Sequence, residues 1–303
     1  MSEAVLDEAE IARIFDECSN WGRWGADDEL GTLNHITAEK RIEAAGLVRD
    51  GTVVSMAQVM SKHQTTANPR PIIHHMAYEG HAPNAAIDFF GMIPHGFALT
   101  HLDALGHVFV DGVLYNGRRA QDVVVKGSGL EWCSILAQRE GFFTRGVLLD
   151  VAGARGQDWL EPGTYVTADD LEAAEAAQGC RVTSGDLLAV CVGLEAREAA
   201  LGPEDRSLRA GLDAGAVCWL HEREVSIYTG DCIERMPYPS TRFPVPLHMI
   251  GLVSMGLVLL DAPALDELVA TCRRLDRWDF LATGAPLTIP NGTGSPVNPL
   301  AVF

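Results

Sequence analysis

The sequence predicts an α/β protein built on a mixed or antiparallel central sheet. Segments with apolar residues at helical spacing recur along the chain, and between them lie short apolar runs bounded by Gly, Pro, Asn or Asp. The chain has 303 residues, 47% of them apolar and 21% charged, enough apolar material for one large core. No internal repeat or low-complexity linker divides it. One domain over residues 1–303 is therefore expected, with a helical and Trp/Gly-rich extension at 1–50.

Leu6 to Cys18 carries Ile11, Ile14 and Phe15 at helical spacing and is expected to form a short amphipathic helix. From Asn20 to Asn34 the pattern breaks at Trp21, Gly22, Trp24, Gly25 and Gly31. Two tryptophans among glycines suit either a lid or pocket wall, or a surface loop packed by its own aromatics. Thr37 is a good N-cap for a second helix reaching Val48, with Ile42, Ala45 and Leu47 on one side. Gly51 to Met60 reads as the first strand. Lys62 to Asn84 is polar, bears proline and holds His63, His74, His75 and His81, which suits a long loop on a pocket rim.

Val113 to Asn116 and Val123 to Val125 read as short strands, and Gly146 to Val151 as a buried one. Thr167 to Gln178 is a helix with Thr167 as cap, Asp169 and Asp170 complementing the dipole in the first turn, and Gly179 as terminator. Ser184 to Asp186 turns into Leu187 to Val192, a run apolar on both faces and so expected at the centre of the sheet. Asp213 to Arg223 is expected to be helical and Val225 to Tyr228 a strand. Thr241 to Pro246 is a proline-punctuated loop leading to a helix from Leu247 to Leu257, with His248 at its start. A further helix covers Leu265 to Leu275, and Phe280 to Ile289 holds a strand pair before a turn region from Asn291 to Pro299.

Composition excludes several functions. A net charge of −18 with no Lys/Arg run opposes binding to nucleic acid. No apolar stretch approaches the roughly 20 residues of a membrane span, and the acidic start from Met1 to Glu10 lacks the pattern of a signal peptide. Seven cysteines without a CxxC pair point to reduced thiols and a cytoplasmic location, each mainly a small buried hydrophobe. No GxSxG elbow supports a serine hydrolase.

Chemistry concentrates between His95 and His107. In an extended segment side chains alternate faces, so His95, His101, Asp103 and His107, all at odd positions, can converge on one metal ion. Imidazole plus carboxylate suits zinc or manganese, and an open coordination position makes such a site hydrolytic. Phe97, Trp21 and Trp24 can supply an apolar wall for an aromatic or cyclic substrate, or pack in the core. Thr100 is expected to hydrogen-bond a neighbouring ligand.

The segment Thr100, His101, Leu102, Asp103, Ala104, followed by His107, resembles the core of the HxGTHxDxPxH signature of the cyclase-like hydrolases, which include bacterial kynurenine formamidase and isatin hydrolase. NWGRWGADDELGTL from Asn20, DWLEPG from Asp158, His248 before a glycine-containing helix, and GTGSPVNP from Gly292 are similar to a longer branch of that family. The resemblance implies a swivelling β/β/α fold, usually an oligomer such as a dimer or tetramer, that hydrolyses an amide, cyclic imide or aryl formamide with Zn²⁺ or Mn²⁺. It implies that the signature residues bind metal and that His248 and Asp261 complete the site. Asp261 stands where the family more often has glutamate, and its carboxylate reaches less far.

Phe97 replaces the first signature histidine, and Leu99 precedes Thr100. Loss of one imidazole weakens a two-metal site most, which favours one ion per chain held by His101 and Asp103 with His95 as substitute ligand. His107 is a ligand or a proton carrier, His248 takes a proton from water and returns it to nitrogen, and Asp261 orients a histidine. The small-molecule substrate can instead be a lactone, and a non-catalytic binding protein that has lost the metal is the other alternative.

Overall fold

The run Leu187–Cys191 is buried at every residue, and the structure places it inside a nine-stranded mixed sheet. The computed structural model describes residues 6–77, 84–203, 205 and 207–303. Four parallel strands, Phe142–Asp150, Leu187–Cys191, Ile227–Gly230 and Val258–Asp261, lie side by side in that order. Asp279–Gly284, Leu300–Val302 and Val53–Ser55 extend one edge antiparallel, while His101–Asp103 and Gly294–Pro296 extend the other. Parallel strands need coverage on both faces, which explains why the runs at 187–191, 227–230 and 258–261 are uninterrupted by polar alternation.

The helices that cover the sheet start where capping chemistry predicts. Asp7 accepts from the backbone of Ala9 and Glu10, and Glu10 reaches back to Asp7, closing a capping box on Glu8–Glu17. Thr37 caps Ala38–Ala45, and Thr167 with Asp170 forms a second capping box on Ala168–Gln178, which ends at Gly179 in the left-handed region. Ile11, Ile14 and Cys18 join the same apolar core as the sheet, so the N-terminal extension packs on the rest of the chain. None of the described helices is long and apolar enough to cross a membrane.

Several elements differ from the sequence expectation. Ile73–Met76 pairs with Asp88–Gly91 in a hairpin, where a long loop was expected; His81 lies outside the described residues. Val113 makes only isolated bridges, and Tyr115–Gly117 is a tight turn in which Asn116 takes the left-handed φ of 60°, which no strand accommodates. The expected first strand shrinks to Val53–Ser55, and the expected helix at 213 begins only at Ala216. Phe280 to Ile289 holds one strand, Asp279–Gly284, and the turn region after Asn291 contributes Gly294–Pro296 to the sheet edge. From Leu247 onward the helix is one α-turn, Pro246–His248, followed by a π-helix, Met249–Met255, and Leu257 has already left it.

That π-helix is fastened to the N-terminal extension at two glycines. Gly31 (φ +56°) packs so closely that an added Cβ would lie 2.1 Å from the carbonyl oxygen of Gly256, and a Cβ on Gly256 (φ +65°) would lie 2.5 Å from the Tyr115 ring. Thr32 N donates to the same Gly256 carbonyl at 2.8 Å. Gly31→Ala is expected to destabilise the protein by roughly 2–4 kcal/mol, because left-handed strain and overlap with backbone add together. Denaturant titration checks this, and a loss below about 0.5 kcal/mol would mean that the loop yields freely.

Candidate metal centre

Strand register builds the core of the site. His101 and Asp103 are two residues apart on a strand flanked by Val258–Asp261 and Gly294–Pro296 and share a face, while Leu102 between them turns into the core. Asp261 is the direct cross-strand partner of His101, which brings the second carboxylate to that face. Thr100 Oγ1 donates to the Ala262 carbonyl at 2.6 Å and accepts from Gln58 N at 2.8 Å. Thr100 thus fixes the backbone beside Asp261 and does not bond a ligand side chain, which corrects the expectation.

His95 and His107 reach the cluster by other routes than strand alternation. Residues before Leu99 are not in the strand, and His95 folds back so that Nδ1 lies 2.9 Å from Asp103 Oδ1. Its Nε2 contacts Thr293 Oγ1 at 2.9 Å, and Arg70 Nη2 donates to its carbonyl at 3.2 Å. Gly294 makes room for this ring, since a Cβ there would lie 2.6 Å from His95 Cε1. After Asp103 the chain turns, with His107 N donating to Ala104 O at 2.9 Å. The His107 ring consequently stacks on His95 with centroids 3.6 Å apart.

His248 enters from the opposite side, on the α-turn opened by Pro246. Glu234 holds it twice: one carboxylate oxygen accepts from His248 N at 3.1 Å, and the other lies 2.7 Å from Nδ1. Nε2 then points inward, 3.1 Å from Asp261 Oδ2 in hydrogen-bonding geometry and 3.9 Å from Asp103 Oδ2. Glu234 was not foreseen as part of the site. Its only sequence signal is its place in the acidic segment Asp231 to Glu234, which no spacing rule connects to His248.

The donor set fits a divalent cation. Asp103 is 1% exposed, and neither of its oxygens accepts a hydrogen bond, although His95 Nδ1 and His101 Nε2 approach Oδ1 to 2.9 and 3.4 Å. A buried carboxylate surrounded by nitrogens that do not align as donors is the arrangement a shared cation resolves. His101 supports this reading: the Leu99 carbonyl 2.7 Å from its Nδ1 takes that proton, so Nε2 is the nitrogen that faces Asp103, where a cation would displace its proton. Two sets of donor atoms converge closely enough for a metal, His95 with His101 and Asp103, and Asp103 with His248 and Asp261. Asp103 belongs to both.

Electrostatics follow from the same geometry. Burial opposes protonation of His101, but Asp103 and Asp261 outweigh it and push its pKa up to about 9. Burial alone would raise Asp103; His101 and His95 hold it well below the usual carboxylate range. His248 is likewise driven well above the ordinary imidazole value, burial being overcome by Glu234 and Asp261. Burial pushes His107 down to about 4, so it is neutral at neutral pH.

Residues 57–234 match the Cyclase family, and a crystal structure described as a novel cyclase is 30% identical over 94% of this chain and 99% of its own, with a TM-score of 0.85. The chain belongs to the cyclase family. Two isatin hydrolases A share the fold: the protein from Ralstonia solanacearum, 23% identical over 88% of this chain and 98% of its own with a TM-score of 0.60, and that from Labrenzia aggregata, bound to benzyl benzoate, 20% identical over 85% and 94% with a TM-score of 0.58. No curated protein matches the chain.

In this cyclase-family chain a cavity of about 400 Å³ opens beside His95, lined by Ile93, Pro94, Phe97, Leu99, Arg70 and Met236 among others. Phe97 is on its wall, with the Arg209 guanidinium 4.4 Å from the ring centroid. Trp21 and Trp24 do not line this cavity. The Trp21 ring packs edge-on against Phe15 and its Nε1 donates to Val253 O at 2.7 Å, while Trp24 packs edge-on against His35. Gln138, also unforeseen, is buried and donates through Nε2 to the Asp103 carbonyl at 3.0 Å.

Proposed function

We propose that this protein is a metal-dependent hydrolase that cleaves the C–N bond of an amide, cyclic imide or aryl formamide. The observation that carries the proposal is Asp103: a buried carboxylate with two oxygens that accept no hydrogen bond, faced by two imidazoles. One Zn²⁺ or Mn²⁺ per chain, held by His101, Asp103 and His95, satisfies all three. A bound divalent cation supplies Lewis acidity, bringing the pKa of water toward about 7 and polarising a carbonyl.

The chain's own residues supply the proton transfer. Asp103 accepts no aligned proton, whereas His248 Nε2 and Asp261 Oδ2 form an aligned hydrogen bond. That contrast supports a reading in which Asp103 holds the cation and the His248–Asp261 pair handles a proton. Glu234 fixes Nδ1, so His248 presents only Nε2; held protonated between Glu234 and Asp261, it can give its Nε2 proton to the departing nitrogen and be reprotonated from the attacking water. An amide anion is a very poor leaving group, so the donated proton is essential. His107, neutral and stacked on His95, is a second proton carrier close by.

The cavity beside His95 is of the size that encloses a small ligand, and Phe97 gives it an aromatic wall. This supports a flat, cyclic or aromatic substrate. The resemblance to the family adds a homo-oligomer to the proposal, and the seven cysteines without a CxxC pair add a cytoplasmic location. The test is hydrolysis of a panel of cyclic imides, lactams, aryl formamides and lactones by protein stripped with chelator and resupplied with Zn²⁺ or Mn²⁺. Turnover of a C–N substrate that depends on resupply is expected. Turnover confined to lactones would reassign the bond, and turnover by the stripped protein would overturn the metal.

Gly294 gives a second test of His95 as a ligand. In Gly294→Ala the new methyl meets His95 Cε1 and the Leu102 carbonyl, so the ring must move away from Asp103. Metal affinity is expected to fall by about 10- to 100-fold, the cost of misorienting a ligand. Unchanged affinity in a competition titration would remove His95 from the metal's ligands.

A further inference from the structure

Cys18 and Cys218 are 200 residues apart in sequence, yet their sulfurs lie 3.8 Å apart, with the Cys18 thiol donating to Cys218. Cys18 closes the Glu8–Glu17 helix and is buried; Cys218 sits on the Ala216–Glu222 helix and is half-buried, open to a small oxidant. We propose that these two residues form a peroxide-sensitive dithiol, in which Cys218 is the attacking sulfur and Cys18 the resolving one. Nothing in the hydrolytic site uses either residue.

The environment separates the two roles. The hydrogen bond from Cys18 pulls the Cys218 thiol down to about 7, against burial and the nearby Glu17 and Glu222, with Arg13 assisting. The same contact and burial push Cys18 well above the ordinary thiol range, so it remains a protonated donor. By contrast, burial pushes Cys180 up to about 11 and Cys272 up to about 12, and neither carries appreciable thiolate at neutral pH. Reactivity is thus directed to Cys218.

The chemistry balances with a hydroperoxide as the two-electron oxidant. The Cys218 thiolate attacks the peroxide oxygen, the O–O bond breaks, and an alcohol or water leaves after taking up a proton, leaving a sulfenic acid on Cys218. The Cys18 sulfur, losing its proton, then attacks Cys218, and the sulfenic hydroxyl leaves as water. The product is a disulfide, in which the two sulfurs close from 3.8 Å to a bond of about 2.05 Å.

Such a bond would tie down the brace of the π-helix. Just beyond Cys18, Asn20 N and Nδ2 donate to the carbonyls of Ser254 and Met255, and Trp21 Nε1 donates to Val253 O. All three acceptors lie on the element that follows His248. Oxidation therefore fastens the segment that holds the His248 helix in place.

The experiment treats the full-length protein with sub-stoichiometric to equimolar hydrogen peroxide at pH 7 and follows intact mass, thiol count after denaturation and peptide mapping. Wild type is expected to lose the mass of two hydrogens and two of its seven thiols, to yield a peptide pair joined through Cys18 and Cys218, and to recover with dithiothreitol. Cys18→Ser is expected to stop at a dimedone-trappable sulfenic acid on Cys218, and Cys218→Ser to slow thiol loss at least about 10-fold. A cross-link mapped elsewhere, or both thiols still free while others oxidise, would overturn the proposal. Wild-type mapping decides the matter even if a variant fails to fold.

Discussion

Asp103→Asn is expected to abolish stoichiometric metal binding, with affinity reduced more than about 100-fold, and to take hydrolytic activity with it. The carboxylate is shared by both candidate donor sets, so no other residue replaces its charge at that point. Removing a ligand costs more than the 10- to 100-fold typical of residues that merely orient ligands. In the metal-free state the substitution also removes the charge that His101 and His95 face, so the metal-free variant is expected to melt below metal-free wild type while its backbone carbonyl keeps the bond from Gln138. A variant that keeps the metal would contradict the assignment of Asp103 to the cation.

His248→Ala should separate chemistry from binding. The imidazole's Nδ1 is held by Glu234 and its Nε2 by Asp261, outside the set of His95, His101 and Asp103. Loss of a general acid–base group is worth about 10² to 10⁴ in rate, so kcat should fall by that factor while metal content stays near the wild-type level. Glu234→Gln should fall between the two, since the amide still occupies the space but can present its NH₂ to Nδ1 and favour the wrong tautomer. If His248→Ala instead loses the metal, His248 is a ligand and the proton carrier must be sought at His107, stacked on His95.

How far the sequence reaches is clearest at particular residues. Leu187–Cys191 was legible as a central strand because burial on both faces leaves no polar alternation, and Thr37 and Thr167 were legible as caps because they act on backbone amides within three residues. His101 and Asp103 were legible as a shared face because they do lie in a strand. His95 and His107 were grouped with them by parity, yet they arrive through a loop and a turn, where alternation has no meaning. The match to the family and the mixed sheet agree with the resemblance drawn from the same segment.

What was illegible depends on partners distant in sequence. The helix Leu194–Leu201 was missed because its cap is not local: Asp231, nearly forty residues on, accepts from the amides of Val192, Gly193 and Leu194. Glu234 was missed for the same reason, since its role exists only once the chain has returned to place His248 beside it. The strand Gly294–Pro296 was read as a turn because its three residues pair with His101–Asp103, a contact that glycine and proline content alone argues against. Gly294 is needed there for a reason only the folded chain shows, the close passage of the His95 ring.

Elemental analysis of the protein purified without chelator and after incubation with Zn²⁺ and Mn²⁺ addresses the central claim most directly. About one ion per chain, lost in Asp103→Asn and retained in His248→Ala, is the predicted result. No bound metal after supplementation would contradict it, and would leave a cyclase-family protein that keeps the cavity beside Phe97 for binding alone.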